Sequence, residues 1–125
     1  MNIYDNDVIL FDGDSITDAL RDRDDVYSLA GYSKYVHEHL TIKLPRVKCY
    51  NRGIGGDTSA QLNDRVQSEL EMIRPTVFSL LIGVNDTWRK FDEGITISAE
   101  TYGQNVDEIL TKAKCFTDRI IVIEP

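Results

Sequence analysis

The chain has 125 residues, a net charge of −7 at pH 7, and 42% hydrophobic and 28% charged residues. These values are typical of one globular domain, and we expect residues 1–125 to belong to a single one. The acidic balance argues against nucleic-acid binding and against docking on anionic membranes, because phosphates are met by Lys and Arg. Neither a signal-peptide pattern nor a bilayer-length apolar run occurs, so we expect a cytoplasmic protein.

The first third of the chain predicts a strand and a helix. Residues 8–11 form an apolar run that reads as a buried strand, and the charged residues 18–25 suggest a surface loop. Residues 31–44 predict a helix that Pro45 ends. Its apolar stripe is expected to comprise Tyr32, Tyr35, Val36, His39, Leu40 and Lys43, which makes His39 a core or boundary residue.

The middle of the chain predicts a second strand–helix unit. Residues 47–50 read as a strand, and a glycine-rich turn follows at 53–57. Thr58 or Ser59 can cap the next helix, because either hydroxyl accepts a hydrogen bond from an early helical N–H. That helix is expected to run to about residue 72, with an apolar stripe of Leu62, Val66, Leu70 and Ile73.

The last third predicts two strands around one helix. Residues 76–82 are apolar on both faces, as expected for a central parallel strand. Residues 87–97 read as a loop, Ser98 can cap a helix ending near residue 114, and residues 119–123 form a fourth strand. The two cysteines, Cys49 and Cys115, form no C-x-x-C pair and are expected to be reduced thiols in or near the core.

This alternation of strands and helices predicts an α/β fold with a parallel sheet and right-handed crossovers. In such sheets the chemistry lies beyond the carboxyl ends of the strands, near a switch in strand order. Ser15, the glycine turn and Asn85 all follow strand ends. Each also has a purely structural interpretation, as a helix cap, a plain loop and an Asx turn respectively.

Three motifs taken together resemble the SGNH (GDSL-type) hydrolase family. They are Gly-Asp-Ser-Ile-Thr-Asp at 13–18, Asn-Arg-Gly-Ile-Gly-Gly-Asp-Thr-Ser at 51–59 and Gly-Val-Asn-Asp at 83–86. The continuation Thr-Trp-Arg at 87–89 and the terminal Ile-Glu-Pro look like the branch that contains acetylxylan esterases and related carbohydrate deacetylases. The resemblance implies a flavodoxin-like three-layer α/β/α fold.

The resemblance also implies a serine ester hydrolase that needs no cofactor and no metal. Ser15 would be the nucleophile, and the oxyanion hole would comprise the N–H groups of Ser15 and Gly56 and the side chain of Asn85. Gly56 is chosen over its neighbour because it directly precedes Asp57-Thr58. Asp14 and Trp88 would contact a small ester substrate, such as an acetylated sugar, although Trp88 could equally be a loop aromatic packed on the core.

The match breaks at the catalytic base. The family's base is a His in a D-x-x-H motif, whereas this chain has only His37 and His39. The family's fifth strand and last helix are also missing, so we expect the N-terminal two-thirds of a family domain, with weak activity or none. It could instead be a non-catalytic ligand-binding or oligomerising fragment. In the family's strand order, strand 4 would be an unprotected apolar edge, so we expect a homo-oligomer, a swapped assembly or a helix laid across that edge.

Asp12 supports a rival interpretation. The family often has an apolar or small residue at this position, and Asp-Gly-Asp at 12–14 also resembles the opening of haloacid-dehalogenase-type phosphatases. Asp12 would then be the nucleophile, Asp14 the acid/base, and Mg²⁺ would bind both, since it prefers oxygen ligands. In the esterase interpretation, Asp12 would raise neighbouring pKa values or face solvent.

Overall fold

In the computed structural model, which describes residues 1–125, four strands and five helices follow one another along the chain. In chain order they are β1 (Val8–Gly13), α1 (Ser15–Asp18), α2 (Gly31–Leu40), β2 (Lys48–Asn51), α3 (Ser59–Ile73), β3 (Val77–Leu81), α4 (Val84–Asp92), α5 (Ala99–Lys114) and β4 (Ile120–Ile123).

The four strands form one parallel sheet in the order β2-β1-β3-β4. Strand β1 lies in the middle, with Phe11 opposite Asn51 on one side and Ser79 on the other. The chain therefore moves outward from β1 in both directions, and the switch in strand order falls between β1 and β3. The predicted α/β fold with a parallel sheet is confirmed.

Helices α3 and α5 cover one face of the sheet. The predicted stripe of α3 is confirmed, because Leu62, Val66 and Leu70 are fully buried against the sheet. Thr58 is the N-cap of α3, and its side chain and that of Gln61 form the reciprocal hydrogen bonds of a capping box. The cap sets the start of the helix, and the stripe sets which side faces the strands.

Helix α2 covers the other face and is shorter than expected. Phe11 and Tyr32 meet there edge to face, with ring centroids 5.6 Å apart. The helix ends at Leu40, and the hydroxyl of its C-cap Thr41 donates to the last-turn carbonyls of His37 and Glu38. The prediction for residues 31–44 is therefore wrong at its end. The predicted burial of His39 is also wrong, since that side chain is exposed.

Residues 84–92, most of them expected in a loop, form helix α4. Gly83 begins it with a φ of 137°, a conformation that glycine adopts without the steric cost of a Cβ. Trp88 and Phe91 lie on its exposed side. Val84, Trp88 and Phe91 stand at i, i+4 and i+7, the spacing of one helix face, so the sequence contained a periodic signal for this helix that the loop prediction for 87–97 did not use.

The charged segment 18–25 is only partly a surface loop. Asp18 and Arg21 are buried, because the carboxylate of Asp18 accepts hydrogen bonds from Arg23 and from the N–H of Gly55. Asp18 and Arg21 are therefore part of the interior of the molecule.

Both cysteines are free thiols, but only Cys49 is buried, whereas Cys115 is exposed.

Strand β4 forms one edge of the sheet. It pairs with β3 on one side and with no strand on the other. Its residues Ile121, Val122 and Ile123 are exposed. Helix α5 packs on one face of the sheet at this end, through Ile109 and Ala113. None of the helices has both the length and the apolar character needed to cross a bilayer.

The core on the α3 side yields a stability prediction. Leu70 is 0% exposed, so Leu70→Ala should lower the free energy of unfolding by about 2–5 kcal/mol through lost burial and a residual cavity. Met72→Ala on the same helix is the control, because Met72 is 55% exposed and its loss should cost less than about 0.5 kcal/mol. Urea unfolding measures both, and equal effects would contradict this account of the core.

Candidate active site

Ser15 opens a one-turn helix at the carboxyl end of the central strand. The side chain of Asp14, the N-cap of α1, accepts a hydrogen bond from Ile16 N at 3.0 Å. Ser15 itself is exposed, and its N–H lies in the first turn, where the helix provides no backbone acceptor. The end of β1 thus presents a hydroxyl and a free donor side by side.

The glycine turn after β2 lies against this serine. Gly55 N–H donates to a carboxylate oxygen of Asp18 at 2.9 Å, and a Cβ added at Gly55 would stand 3.7 Å from the Cβ of Ser15. Gly56 has a φ of 89°, which any other L-residue would adopt only with strain. The turn therefore brings Gly55 and Gly56 close to the nucleophile candidate.

Asn85 reaches the same turn from the first turn of α4. Its Nδ2 donates to the carbonyl of Asp57 at 3.0 Å. Because a carbonyl can only accept, this contact assigns the amide orientation and leaves the second Nδ2 hydrogen to point elsewhere. Asn85 is buried. Ser15, Gly56 and Asn85 therefore all lie at the carboxyl ends of the strands, as expected from their positions in the sequence.

A buried charge network lies beneath the turn. Arg65 of α3 contacts Asp12 at 2.9 Å and Asp57 at 2.7 Å, and donates to the carbonyl of Gly13 at 3.1 Å. Burial raises the pKa of Asp12 to about 6, although Arg65 opposes the shift. Burial alone would lower the pKa of Arg65, but the two carboxylates outweigh it and raise that pKa.

Two further polar residues hold the site and were given no role from the sequence. Asn51 is fully buried; its amide donates to Thr17 O at 2.6 Å and to Ser33 Oγ at 2.9 Å, and its oxygen accepts from Gly53 N at 3.0 Å. Arg89 donates to Gly56 O at 2.7 Å. Asn51 begins the second motif, so the sequence contained a signal for it. Arg89 ends the Thr-Trp-Arg continuation of the third motif, so the sequence contained a signal for it as well, but not for its contact with Gly56.

A cleft of about 670 Å³ opens at the carboxyl ends of the strands, between α4, α5 and the end of β4. Its lining includes Asp86, Tyr102 and Val122. The carboxylate of Asp86 is turned away from the role of a base, because it accepts hydrogen bonds from the N–H and hydroxyl of Ser59 at the start of α3. Asp86 thus fixes α4 to α3, while the cleft remains open.

Comparison with known proteins identifies the family to which the chain belongs. Residues 11–125 match the GDSL-like lipase/acylhydrolase family. The chain belongs to that family. An acetylxylan esterase from Geobacillus stearothermophilus is 29% identical to this GDSL-like chain over an alignment of 136 positions, which covers all of this chain and 62% of that protein.

Solved structures agree with the fold of this GDSL-like chain. A crystal structure of a catalytic mutant of the Geobacillus stearothermophilus acetylxylan esterase superposes with a TM-score of 0.88, at 29% identity, over 98% of this chain and 61% of that one. An α/β hydrolase enzyme from the metagenome of Lake Arreo, Spain, gives 0.86 at 27% identity, over 96% and 61%. The GDSL-like chain thus spans about three fifths of the length of these relatives.

The two residues expected to contact substrate lie in different environments. Trp88 is 57% exposed, with its ring centroid 6.0 Å from that of Phe91, so its interpretation as a loop aromatic packed on the core is wrong. Asp14 is fully buried, and burial is the main reason that its pKa is raised. Capping α1 is its structural role, and its substrate contact stays a prediction.

Neither histidine of the GDSL-like chain lies at this edge. Helix α2 begins beside α1, since a Cβ added at Gly31 would stand 2.7 Å from the Cβ of Ala19. The helix then runs back along the sheet toward the start of β2. Its last turn, which carries His37 and His39, therefore lies near the amino-terminal ends of the strands. No histidine within residues 1–125 can therefore act as a base for Ser15.

The phosphatase interpretation is wrong in its central requirement. A nucleophilic carboxylate must meet its substrate, whereas Asp12 is 0% exposed and forms an ion pair with Arg65. The expectation that Asp12 faces solvent is wrong for the same reason. In addition, no group of three or more His, Cys, Asp or Glu side chains is arranged to hold a metal ion.

The buried Asp12 leads to a pH prediction. Its pKa is about 6 in the folded chain and 3.8 ordinarily, so between these values the unfolded chain has released a proton that the folded chain keeps. The stability contributed by this group therefore falls as pH rises toward 6 and then levels off. Asp12→Asn should abolish this fall, so that its unfolding free energy relative to the parent chain rises by about 1–3 kcal/mol across the window.

Urea unfolding at pH 4, 5, 6 and 7 measures this difference. Asp24→Asn is the matched control, because Asp24 is exposed, and its difference from the parent chain should stay flat. A flat profile for Asp12→Asn as well would contradict the assignment of a shifted, buried carboxyl at this position.

Proposed function

We propose that this chain carries the nucleophile and oxyanion hole of a serine ester hydrolase that acts through an acyl-enzyme. The observation that supports this most is the convergence of Ser15, the Gly55–Gly56 turn and Asn85 at one edge of the sheet. Membership of the GDSL-like lipase/acylhydrolase family supports the same chemistry. Because the chain spans about three fifths of its relatives, the activity is proposed for the whole gene product.

In the proposed first stage, Ser15 Oγ attacks the ester carbonyl and its proton passes to a base. The carbonyl π electrons move to oxygen, and collapse of the tetrahedral intermediate expels the alcohol, which takes up a proton. In the second stage water attacks the acyl-enzyme, the acid leaves, and Ser15 regains its proton. The base must come from outside residues 1–125, because His37 and His39 lie near the amino-terminal ends of the strands, away from Ser15.

The negative oxygen of the intermediate would be stabilised by three proposed donors. These are the N–H groups of Ser15 and Gly56 and the free Nδ2 hydrogen of Asn85. Such preorganised donors need not reorient during the reaction, which is why oxyanion holes lower the barrier substantially. The positive end of the short helix α1 adds little, because a helix of four residues has a small dipole.

For the substrate, we propose a small ester such as an acetylated sugar. The support is the similarity to an acetylxylan esterase at 29% identity, together with Trp88, an exposed aromatic side chain three residues beyond Asn85. Aromatic rings offer a flat apolar surface on which the face of a sugar ring can pack. Asp14 is expected to act there only through its cap on α1. The cytoplasmic location stays a prediction.

A second proposal is that the chain binds an acyl or sugar ligand without turnover. The observation that favours it is the absence of a histidine from the site within residues 1–125. An oxyanion hole and a binding site can retain some rate without the full triad. The two proposals are separated by assaying this chain and the product of its gene read to the stop codon on the same ester.

The nucleophile is tested with p-nitrophenyl acetate. In the gene product, Ser15→Ala should abolish turnover, because no other exposed hydroxyl stands next to Gly55 and Gly56. Asn85→Ala should lower kcat by about 100–1000-fold with a smaller change in KM, because the oxyanion exists in the transition state and not in the substrate.

Ser68→Ala is the matched control for the nucleophile, because Ser68 is an exposed serine on α3 that bonds only to the carbonyl of Arg65. It should leave kcat unchanged. If the folded gene product is inactive on a panel of acyl esters, or if Ser15→Ala retains the parent rate, the esterase proposal fails.

We also propose that the exposed edge of β4 pairs with another chain. The support is that Ile121, Val122 and Ile123 are all exposed on a strand that pairs only with β3 and leaves its other side open, which is a template for further pairing. Light scattering after size-exclusion chromatography should show a mass above that of the monomer, rising with concentration. Ile121→Lys should restore the monomer, since a charge at an edge opposes pairing. A monomeric parent chain across a wide concentration range would contradict the proposal.

A further inference from the structure

We propose that Arg89 is a positioning residue, which holds the Gly56 peptide in the orientation that the oxyanion hole requires. The inference rests on the proposed esterase function and adds a residue to it. It starts from the observation that Arg89 donates to the carbonyl of Gly56 at 2.7 Å. The N–H of the same glycine is the donor proposed for the oxyanion.

The backbone on either side of that N–H is held by charged side chains. Ahead of it, the N–H of Gly55 donates to Asp18 at 2.9 Å. Behind it, the carbonyl of Gly56 accepts from Arg89, and the carbonyl of Asp57 accepts from Asn85 at 3.0 Å. The Gly56 N–H belongs to the peptide between Gly55 and Gly56, and both peptides that flank it are held by these contacts.

Such a hold matters because the turn contains adjacent glycines. Gly56 has a φ of 89°, and glycine reaches this region and its mirror image with similar ease. The N–H of Asp57 closes the turn locally by donating to the carbonyl of Ile54 at 3.2 Å, but turns that differ by a flip of the peptide between the two central residues keep the same closing bond. An error of about 1 Å or some tens of degrees in a catalytic donor can cost about 100-fold in rate, so a contact from another element is needed to select one orientation.

Arg89 is equipped to make this contact rigidly. Its Nη1 bonds to Asp92 at 2.6 Å and its Nε lies 3.6 Å from Glu93, both in the last turn or cap of α4. These contacts leave Nη2 for the carbonyl of Gly56. The guanidinium has several donors in a fixed plane, whereas a lysine has one compact charge and could not serve both sides in the same geometry.

The same helix provides two of the contacts. Asn85 and Arg89 are four residues apart, so they lie on one face of α4. They bond to two successive carbonyls, those of Asp57 and Gly56. The position of α4 along the turn therefore sets two oxyanion donors together: the Asn85 amide directly and the Gly56 N–H through Arg89.

The test compares Arg89→Gln and Arg89→Lys in the gene product read to its stop codon. Arg89→Gln should lower kcat for p-nitrophenyl acetate by about 10–100-fold with KM changed by less than about 3-fold, because a misdirected donor weakens the transition state and not substrate binding. Arg89→Lys should retain part of kcat. Arg46→Gln, which removes an exposed Arg paired with Asp5, should match the parent enzyme.

A second readout is independent of turnover. In ¹⁵N relaxation measurements, the Gly56 amide of Arg89→Gln should show a lower heteronuclear NOE than that of the parent and of Arg46→Gln, at a similar thermal midpoint. Parent values for kcat and for the Gly56 amide in Arg89→Gln would overturn the role of Arg89 while leaving the esterase intact. Full activity in Ser15→Ala, or an inactive parent, would instead overturn the proposed function, and the Gly56 amide would still decide whether Arg89 orders the turn.

Discussion

The ion pair between Asp12 and Arg65 joins the central strand to the helix that covers it. Asp12 has no exposed surface, and Arg65 extends from it to Asp57 in the glycine turn. Removing one member of a buried pair leaves the other charge without compensation, at a cost of about 3–5 kcal/mol. Because this one guanidinium of α3 contacts the end of β1 and Asp57 of the glycine turn, the spacing between Ser15 and the turn depends on it.

Above that pair, the turn itself is held from several directions because it has little rigidity of its own. Asp18 bonds to Gly55, Arg89 to Gly56 and Arg65 to Asp57. Each contact comes from a different helix, namely α1, α4 and α3. A glycine-rich segment allows close approach of backbone to a ligand, but it must then be ordered by its surroundings. The charged residues near the site thus have a structural reason to be buried.

The arrangement separates two parts of one proposed catalytic apparatus. The residues proposed as nucleophile and oxyanion donors lie at the carboxyl ends of the strands, near the switch in strand order between β1 and β3. His37 and His39 lie in the last turn of α2, near the amino-terminal ends of the strands. The chain spans about three fifths of its relatives. The cleft between α4, α5 and the end of β4 opens at the carboxyl ends of the strands, as the proposed site does.

The sequence by itself determined the elements whose signals are local or periodic. The strand at residues 77–81 and the stripe and cap of α3 could be predicted because burial and capping impose regular patterns. The three motifs around Ser15, Gly56 and Asn85 were recognised only by their resemblance to a known family. Only the tertiary structure decided the partners of charged side chains. Asp12 needed a counter-charge, which the sequence could not assign to Arg65. Contacts such as Arg89 with Gly56 join residues 33 positions apart, and their geometry exists only once the helices have packed on the sheet.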